Sequence, residues 1–203
     1  MKASIVDGPF RKADYNLFPT LVQLYHVPLG TKENIVLENY TDLKEWPIDI
    51  GKGKTSSQTE MNLLHRPEMA KLKVGITSCL DEYCKDAGLQ QVEIGKSWFN
   101  LQEEDGVIHK HRHELSIISG AYYPYVDDGS APLIFESPIL APKMSEIHNK
   151  VTHYTANNME FEPRPEMLIL FPSWLYHYSI PNKTKKRVTI SFNTYHKTLD
   201  KQN

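Results

Sequence analysis

The segment Arg187-Val188-Thr189-Ile190-Ser191-Phe192-Asn193 alternates polar and apolar side chains without interruption. Successive side chains of a β-strand point to opposite faces of a sheet, so this alternation predicts a strand with one apolar and one polar face. The polar face begins with Arg187. Such a face can line a polar cavity or lie against solvent, and the alternation alone leaves both alternatives open.

Segments with the same period of two fill the second half of the chain, from about residue 90. They are rich in Val, Ile, Tyr and Phe, and Gly, Pro, Asn and Asp bound them. Eight short strands with no intervening helix predict a closed or sandwich-like β structure. We place the strands near 91–102, 107–113, 116–126, 132–136, 151–155, 166–171, 174–180 and 187–195.

The first half of the chain is expected to combine helix and strand. Residues 18–26 suit a strand, and Thr31 can cap a helix that continues to about Trp46. A second helix is expected to begin at Pro67 and end at Gly88. Both helices are expected to pack against a sheet as scaffold. Residues 51–59 form a polar loop without the GxxxxGK[ST] spacing, so we expect no phosphate binding there.

Composition and charge exclude several function classes. The chain has 203 residues and a net charge of -2, which is typical of one soluble domain and argues against a nucleic-acid partner. The sequence contains no apolar run long enough for a membrane span and no signal-peptide pattern at Met1. We therefore expect a cytoplasmic protein with no membrane partner. A homodimer is left open.

Histidines crowd into the second half, where seven of the nine lie after residue 108. In a strand, His109, His111 and His113 project to one side, and the residues between them project to the other. Two imidazoles two residues apart can bind one metal ion if a third ligand comes from elsewhere, and open positions then remain for substrate and oxygen. The alternative is a solvated basic patch.

Two further residues strengthen the metal hypothesis. His177 lies between apolar, strand-like residues in the segment 171–182, where it can supply a distal ligand. Arg187 can bind a carboxylate with two hydrogen bonds, and the hydroxyl of Ser191 can add another. The alternative for Arg187 is a surface position that continues the basic run of residues 183–186.

Four motifs, taken in order, resemble the 2-oxoglutarate/iron(II) oxygenases related to prolyl hydroxylases, which have members in marine bacteria and their phages. The motifs are HxH at 111–113, SGxYY at 119–123, FPSWxxH at 171–177 and RxxxSFN at 187–193. The resemblance runs from about residue 17 to 195. It is densest over 97–123 and 168–194.

The resemblance implies a mainly β fold, a double-stranded β-helix (jelly roll, cupin-like) with N-terminal α-helices packed on the sheet. It implies a single oxygenase domain over residues 1–203. The β-helix core would occupy about 90–196, and the helical N-terminal support would occupy about 18–89.

The resemblance also implies the cofactors and their ligands. Fe(II) would be held by His111, His113 and His177, with O2 as oxidant. The far carboxylate of 2-oxoglutarate would be bound by Arg187, Ser191 and Tyr123, with Asn100 near the co-substrate. The implied reaction hydroxylates a C–H bond of a protein or peptide, with a prolyl residue as one candidate, or of a small molecule. Succinate and carbon dioxide are the by-products.

One position departs from the wider superfamily, in which His-x-Asp or His-x-Glu completes the metal site. Here the second position is His113, so the site has one negative charge fewer, which should weaken Fe(II) binding. Alternatively, His109 and His111 form the pair, or Glu114 turns inward. Two other functions also stay open: a three-histidine dioxygenase that does not use 2-oxoglutarate, and a non-catalytic jelly-roll module that binds metal.

Overall fold

The computed structural model describes residues 18–46, 51–139, 147 and 149–197. Two α-helices and ten strands follow one another along the described residues. In chain order they are β1 Gln23–His26, α1 Thr31–Glu38, β2 Lys44–Glu45, β3 Gly53–Thr55, α2 Ala70–Ala87, β4 Val92–Gln102, β5 Ile118–Tyr123, β6 Leu133–Glu136, β7 Asn158–Phe161, β8 Met167–Pro172, β9 His177–Tyr178 and β10 Arg187–His196.

The strands form two antiparallel sheets. The larger sheet has the order β1-β8-β5-β10-β4-β3-β2, and the smaller sheet has the order β7-β6-β9. Apolar side chains from both sheets meet between them, for example Phe135 on β6 and Phe171 on β8, whose ring centroids lie 4.8 Å apart. Two sheets packed over a shared interior confirm the predicted mainly β jelly-roll architecture.

Strand β10 shows the alternation predicted for it. Val188, Ile190 and Phe192 are buried in the apolar core that also contains Leu72 and Ile76 of α2. Arg187, Thr189 and Ser191 lie on the other face and line a cavity inside the jelly roll. The polar face of the strand is therefore internal, and the surface alternative for Arg187 is wrong.

Close packing against β10 explains Gly120 on the neighbouring strand β5. A Cβ atom at Gly120 would lie 2.0 Å from the ring of Phe192, so any larger residue would displace that ring. Because interiors pack to crystal-like density, the absence of a side chain here is a steric requirement.

Helix α2 follows the sequence prediction closely, because its signals are local. Pro67 opens a 3-10 turn that runs into α2, and Gly88 ends the helix with a φ of 68°. Glycine adopts this left-handed conformation without a Cβ penalty. The apolar face of α2 is buried against the larger sheet.

The first helix is shorter than predicted. It ends at Glu38 instead of near Trp46, and Gly30 occupies the N-cap position that was expected for Thr31. The amide Nδ2 of Asn39 donates to the Ile35 carbonyl, which satisfies that carbonyl where the helix stops.

Several strand predictions were wrong. Residues 107–113 contain only an isolated bridge at His111, and residues 51–59 contain the short strand β3 that pairs with β4. Residues 151–155 form a turn, because Thr152 and Thr155 bond to each other through backbone and hydroxyl groups, and the strand follows at Asn158–Phe161. No helix in the described part of the chain combines the length and the apolar character that crossing a membrane requires.

Candidate active site

The centre of the site is a pair of histidines held face to face by the backbone. The N–H of His111 donates to the His177 carbonyl at 3.0 Å, and the N–H of His177 donates to the His111 carbonyl at 2.9 Å. This two-bond bridge fixes the separation of the two chain segments. The N–H of His113 adds a third anchor by donating to the Ser173 carbonyl at 2.9 Å.

These anchors bring three imidazoles together. The ring centroid of His111 lies 4.3 Å from that of His177 and 5.0 Å from that of His113, and the last two centroids are 5.2 Å apart. One ring nitrogen from each residue can be chosen so that all three lie within 4.8 Å of one another. This arrangement has the ligand number and residue type of a metal site with open positions.

The other candidates for the second position lie outside the cluster. Glu114 is exposed and forms an ion pair with Arg112 at 3.3 Å. His109 lines the cavity, but only its backbone carbonyl interacts with the cluster, by accepting a hydrogen bond at 2.7 Å from Nδ1 of His111. The histidine trio is therefore His111, His113 and His177.

Backbone hydrogen bonds set the tautomer of two of the imidazoles. Nδ1 of His111 faces the His109 carbonyl at 2.7 Å, and Nδ1 of His177 faces the Leu175 carbonyl at 2.9 Å. A carbonyl can only accept, so Nδ1 carries the proton in both neutral rings. The Nε2 lone pairs are then free for a metal, as is usual when the other ring nitrogen is held by an outer partner.

Burial keeps the cluster neutral. Desolvation lowers the pKa of His177 to about 3, with the charge of His111 as the next cause. Desolvation, followed by the charge of His111, lowers the pKa of His113 to about 4. Burial also lowers the pKa of His111. A metal ligand must be the neutral imidazole, so no deprotonation is needed near pH 7.

Arg187 is buried beside the cluster, with 1% of its surface exposed. Four of its five N–H groups have partners: Nε donates to the Ala131 carbonyl, Nη1 to Gln102 Oε1 and Thr189 Oγ1, and Nη2 to the Tyr123 hydroxyl. Within the described ranges, no carboxylate pairs with this guanidinium. A buried charge with only neutral partners retains much of its desolvation cost, which an anionic ligand can offset.

Three hydroxyls that line the same cavity as Arg187 have protons without a described acceptor. The oxygens of Tyr123 and Thr189 accept from the guanidinium, and no described residue accepts their own protons. Ser191 is similar, because its Oγ accepts from Asn100 Nδ2 at 3.2 Å and its proton lacks a described acceptor. This surplus of donors is complementary to an anion. Only one guanidinium N–H lacks a described partner, so the two hydrogen bonds to a carboxylate that were expected of Arg187 alone would need a hydroxyl as the second donor.

One cavity of about 350 Å³ joins the histidine trio to Arg187. This volume is in the range of small-molecule sites. Apolar side chains form part of the wall, including Ala121, Leu133 and Phe171, and Trp46 and Trp98 add aromatic surface. The predicted residues His111, His113, His177, Arg187, Ser191, Tyr123 and Asn100 all line this cavity.

Sequence reasoning missed three polar residues that support the cavity. Gln102 bonds the guanidinium at 2.8 Å, and its position two residues after Asn100 on one strand face could have indicated this. Thr55 donates to Asn100 Oδ1 at 2.8 Å. It lies in a segment that was taken for a loop. Thr189 follows Arg187 on the polar face of β10.

The residues that hold the cluster match a protein family. Residues 96–193 match the family described as "Putative 2OG-Fe(II) oxygenase", and enzymes of this class require Fe(II), 2-oxoglutarate and O2. The matched segment contains all three histidines and Arg187. None of the curated proteins matches the chain.

Solved structures of low identity share the fold. A 2OG-Fe(II) oxygenase family oxidoreductase from Burkholderia pseudomallei is 12% identical, with a TM-score of 0.55, over 85% of this chain and 83% of that chain. A prolyl-4-hydroxylase from Pseudomonas putida is 13% identical, with a TM-score of 0.52, over 88% and 94%. HygX from Streptomyces hygroscopicus, solved with nickel, 2-oxoglutarate and hygromycin B, is 10% identical, with a TM-score of 0.58, over 87% and 83%.

The three-histidine cluster thus lies in a jelly roll and in a segment that matches an oxygenase family. Residues 96–193 match the 2OG-Fe(II) oxygenase family, and the solved structures that share the fold include an oxidoreductase of that family and a prolyl-4-hydroxylase.

Proposed function

We propose that the protein is a dioxygenase that uses Fe(II), 2-oxoglutarate and O2 to hydroxylate a C–H bond. One observation supports this most strongly: a buried arginine, which has no acidic partner among the described residues, shares a cavity with three neutral imidazoles. The first feature suits a ligand carboxylate, and the second suits a metal ion. 2-Oxoglutarate combines a carboxylate with a metal-chelating 2-oxo acid group, so it complements both ends of the cavity.

The proposed metal ligands are Nε2 of His111, His113 and His177. When bound, iron with 2-oxoglutarate supplies the oxidising chemistry, and the protein supplies orientation. Two of the imidazoles are fixed by hydrogen bonds to backbone carbonyls, so little reorganisation accompanies metal binding. A three-imidazole site has no ligand charge of its own, so we expect weaker Fe(II) binding than at a site with a carboxylate.

The proposed anchor for the far carboxylate of 2-oxoglutarate is Arg187 with the hydroxyls of Tyr123 and Ser191. Asn100 acts through Ser191, because its Nδ2 donates to Ser191 Oγ and leaves the serine proton for the ligand. Removing one partner of a buried, hydrogen-bonded charge pair costs about 2 to 5 kcal/mol. The anchor is therefore expected to dominate co-substrate affinity.

The apolar wall has a separate role. Ala121, Leu133 and Phe171 lie in the cluster between the two sheets and border the cavity. We propose that they exclude water from the reacting groups, which strengthens electrostatic interactions there and limits side reactions.

The proposed substrate is a protein or peptide, with a prolyl residue as one candidate, or a small molecule. The solved relatives include a prolyl-4-hydroxylase and an enzyme solved with hygromycin B, which supports keeping both classes. Trp46, Trp98 and Gln58 offer the substrate aromatic surface and an amide. The single domain over residues 1–203, the cytoplasmic location and the oligomeric state stay predictions.

The test is succinate formation by metal-free protein supplied with Fe(II), 2-oxoglutarate and O2. We expect succinate only when all three are present. Slow succinate formation is expected even when the substrate to be hydroxylated is left out. Oxygen uptake that does not depend on 2-oxoglutarate would indicate the three-histidine dioxygenase instead. Metal binding without oxygen uptake under any condition would indicate a non-catalytic module.

A further inference from the structure

The third imidazole, His113, has an outer partner of a different kind. Its Nδ1 faces the side-chain amide of Asn193 on β10 rather than a backbone carbonyl. In the structure, Asn193 Nδ2 lies 3.4 Å from His113 Nδ1, and Asn193 Oδ1 lies 2.9 Å from Ser119 Oγ. The two ends of a side-chain amide have nearly the same shape, so hydrogen bonding decides which end points where.

A chain of hydrogen-bonded serine hydroxyls determines which end of the Asn193 amide faces His113. Ser116 Oγ donates to the Thr194 carbonyl at 3.0 Å, so its single proton is committed. Ser173 Oγ donates to Ser116 Oγ at 2.9 Å, which commits the proton of Ser173. Ser119 Oγ lies 2.8 Å from Ser173 Oγ, so Ser119 must be the donor in that contact.

Each hydroxyl has one proton, and that of Ser119 is now used. The group of Asn193 that faces Ser119 must therefore donate, and only the NH2 end can do so. The amide oxygen of Asn193 must therefore face His113, where it accepts a hydrogen bond from the Nδ1–H group. In the opposite orientation, Asn193 Oδ1 would face Ser119 Oγ with no proton between them, because the single hydroxyl proton of Ser119 is donated to Ser173.

We infer that Asn193 is a positioning residue that fixes His113 in the tautomer with a free Nε2, and that Ser116, Ser173 and Ser119 fix the orientation of the Asn193 amide. All three imidazoles then expose the same nitrogen, two through backbone carbonyls and one through an asparagine. The expected effect of Asn193 on metal affinity rests on the proposed function. The expected tautomer of His113 is independent of the proposed function.

The first measurement reads the tautomer in metal-free protein at pH 7 by long-range 1H–15N NMR of the histidine rings. The wild type is expected to carry the His113 proton on Nδ1, and Asn193→Asp, which keeps an oxygen acceptor, is expected to do the same. Asn193→Ala and Ser119→Ala are expected to shift His113 toward the Nε2–H form. A wild-type His113 protonated on Nε2, or no shift in either alanine variant, would overturn the inference.

The second measurement is the Kd for Co(II), obtained anaerobically by competition with a chromophoric chelator. Losing an outer partner of a ligating histidine typically costs 10- to 100-fold in affinity, so Asn193→Ala is expected to raise the Kd by about tenfold or more. Asn193→Asp should stay within about threefold of the wild type or bind more tightly. The exposed Asn158→Ala on β7 is the matched control and should not change the Kd.

The two measurements separate the possible failures. Wild-type protein that binds no Co(II) would contradict the proposed metal site, while the NMR result would still test Asn193. If Asn193→Ala does not fold, Asn193→Asp and Ser119→Ala carry the same test. If Ser119→Ala binds Co(II) with the Kd of the wild type while Asn193→Asp binds Co(II) more weakly than the wild type, the inference is contradicted.

Discussion

His111 and His177 face each other across an antiparallel bridge in which each backbone N–H donates to the other residue's carbonyl, at 3.0 and 2.9 Å. The two imidazoles are therefore brought together by main-chain pairing and not by side-chain packing alone. Their ring centroids lie 4.3 Å apart. A site assembled in this way is preorganised, because main-chain hydrogen bonds fix the separation of the two segments that carry the imidazoles.

Replacing a histidine of the trio should weaken metal binding strongly. We expect His177→Ala and His113→Ala each to raise the Kd for Co(II) by about 100-fold or more, because three ligands become two. His109→Ala and Glu114→Gln should bind as the wild type does, since neither side chain belongs to the cluster and the His109 carbonyl remains. Chelator competition measures all four variants. If His109→Ala or Glu114→Gln loses Co(II) binding while His113→Ala retains it, the residue replaced in that variant is the second ligand instead of His113.

Arg187 should control the requirement for 2-oxoglutarate. We expect Arg187→Ala to raise the KM for 2-oxoglutarate by about tenfold or more, since about 1.4 kcal/mol corresponds to tenfold and a buried pair is worth more. The neighbouring exposed Lys186→Ala is the matched control. Succinate formation at varied 2-oxoglutarate concentration measures the effect. An unchanged KM in a folded Arg187→Ala protein would remove this residue from the site.

Gln102 offers a subtler test of the same anchor. Gln102→Glu places a carboxylate where Oε1 now accepts from Arg187 at 2.8 Å, so the guanidinium acquires an internal partner. The ligand carboxylate must then compete with that partner, and we expect the KM for 2-oxoglutarate to rise by about tenfold. Co(II) affinity should not change, because Gln102 does not contact the histidines. A KM equal to that of the wild type would show that the charge of Arg187 is not what binds the co-substrate.

The buried imidazoles should make the metal-free protein sensitive to acid. The pKa of His177 falls from 6.5 to about 3 on folding, so between these values the unfolded chain binds more protons than the native protein. Unfolding free energy contributed by His177 is therefore present above pH 6.5 and is lost as the pH falls. For this residue alone, we expect the unfolding free energy to decrease by about 2 kcal/mol when the pH is lowered from 7 to 5.

Urea unfolding of metal-free protein at the two pH values measures this loss. His177→Gln has no imidazole to protonate, so its unfolding free energy should decrease less than that of the wild type over the same interval. Equal decreases would show that His177 is not held neutral by burial.

Local signals in the sequence predicted the fold well where neighbouring residues decide the structure. Pro67 and Gly88 bound α2 as expected, and the alternation from Arg187 to Asn193 predicted both faces of β10. The family resemblance implied the histidine trio that the structure brings together, whereas spacing alone left His109 and Glu114 open, and the strand expected for this segment was wrong. Residues 107–113 form no strand. His111 is held instead by the two-bond bridge to His177, and His113 is held by one backbone bond to Ser173.

What the sequence could not predict depends on contacts between distant segments. Gln102 reaches Arg187 only because β4 and β10 are paired, and Thr55 reaches Asn100 only because the segment 53–55 joins the same sheet. The Asn193 contact with Ser119 depends in turn on β5 lying beside β10. Such partners have no signature in a single sequence, because register between strands decides which polar groups meet.

A crystal structure of the protein prepared anaerobically with Fe(II) and 2-oxoglutarate would test the proposed metal and co-substrate site directly. We predict one metal ion bound by Nε2 of His111, His113 and His177, with 2-oxoglutarate chelating it and its far carboxylate hydrogen-bonded to Arg187. Metal bound at other residues, or a co-substrate carboxylate remote from Arg187, would contradict the account.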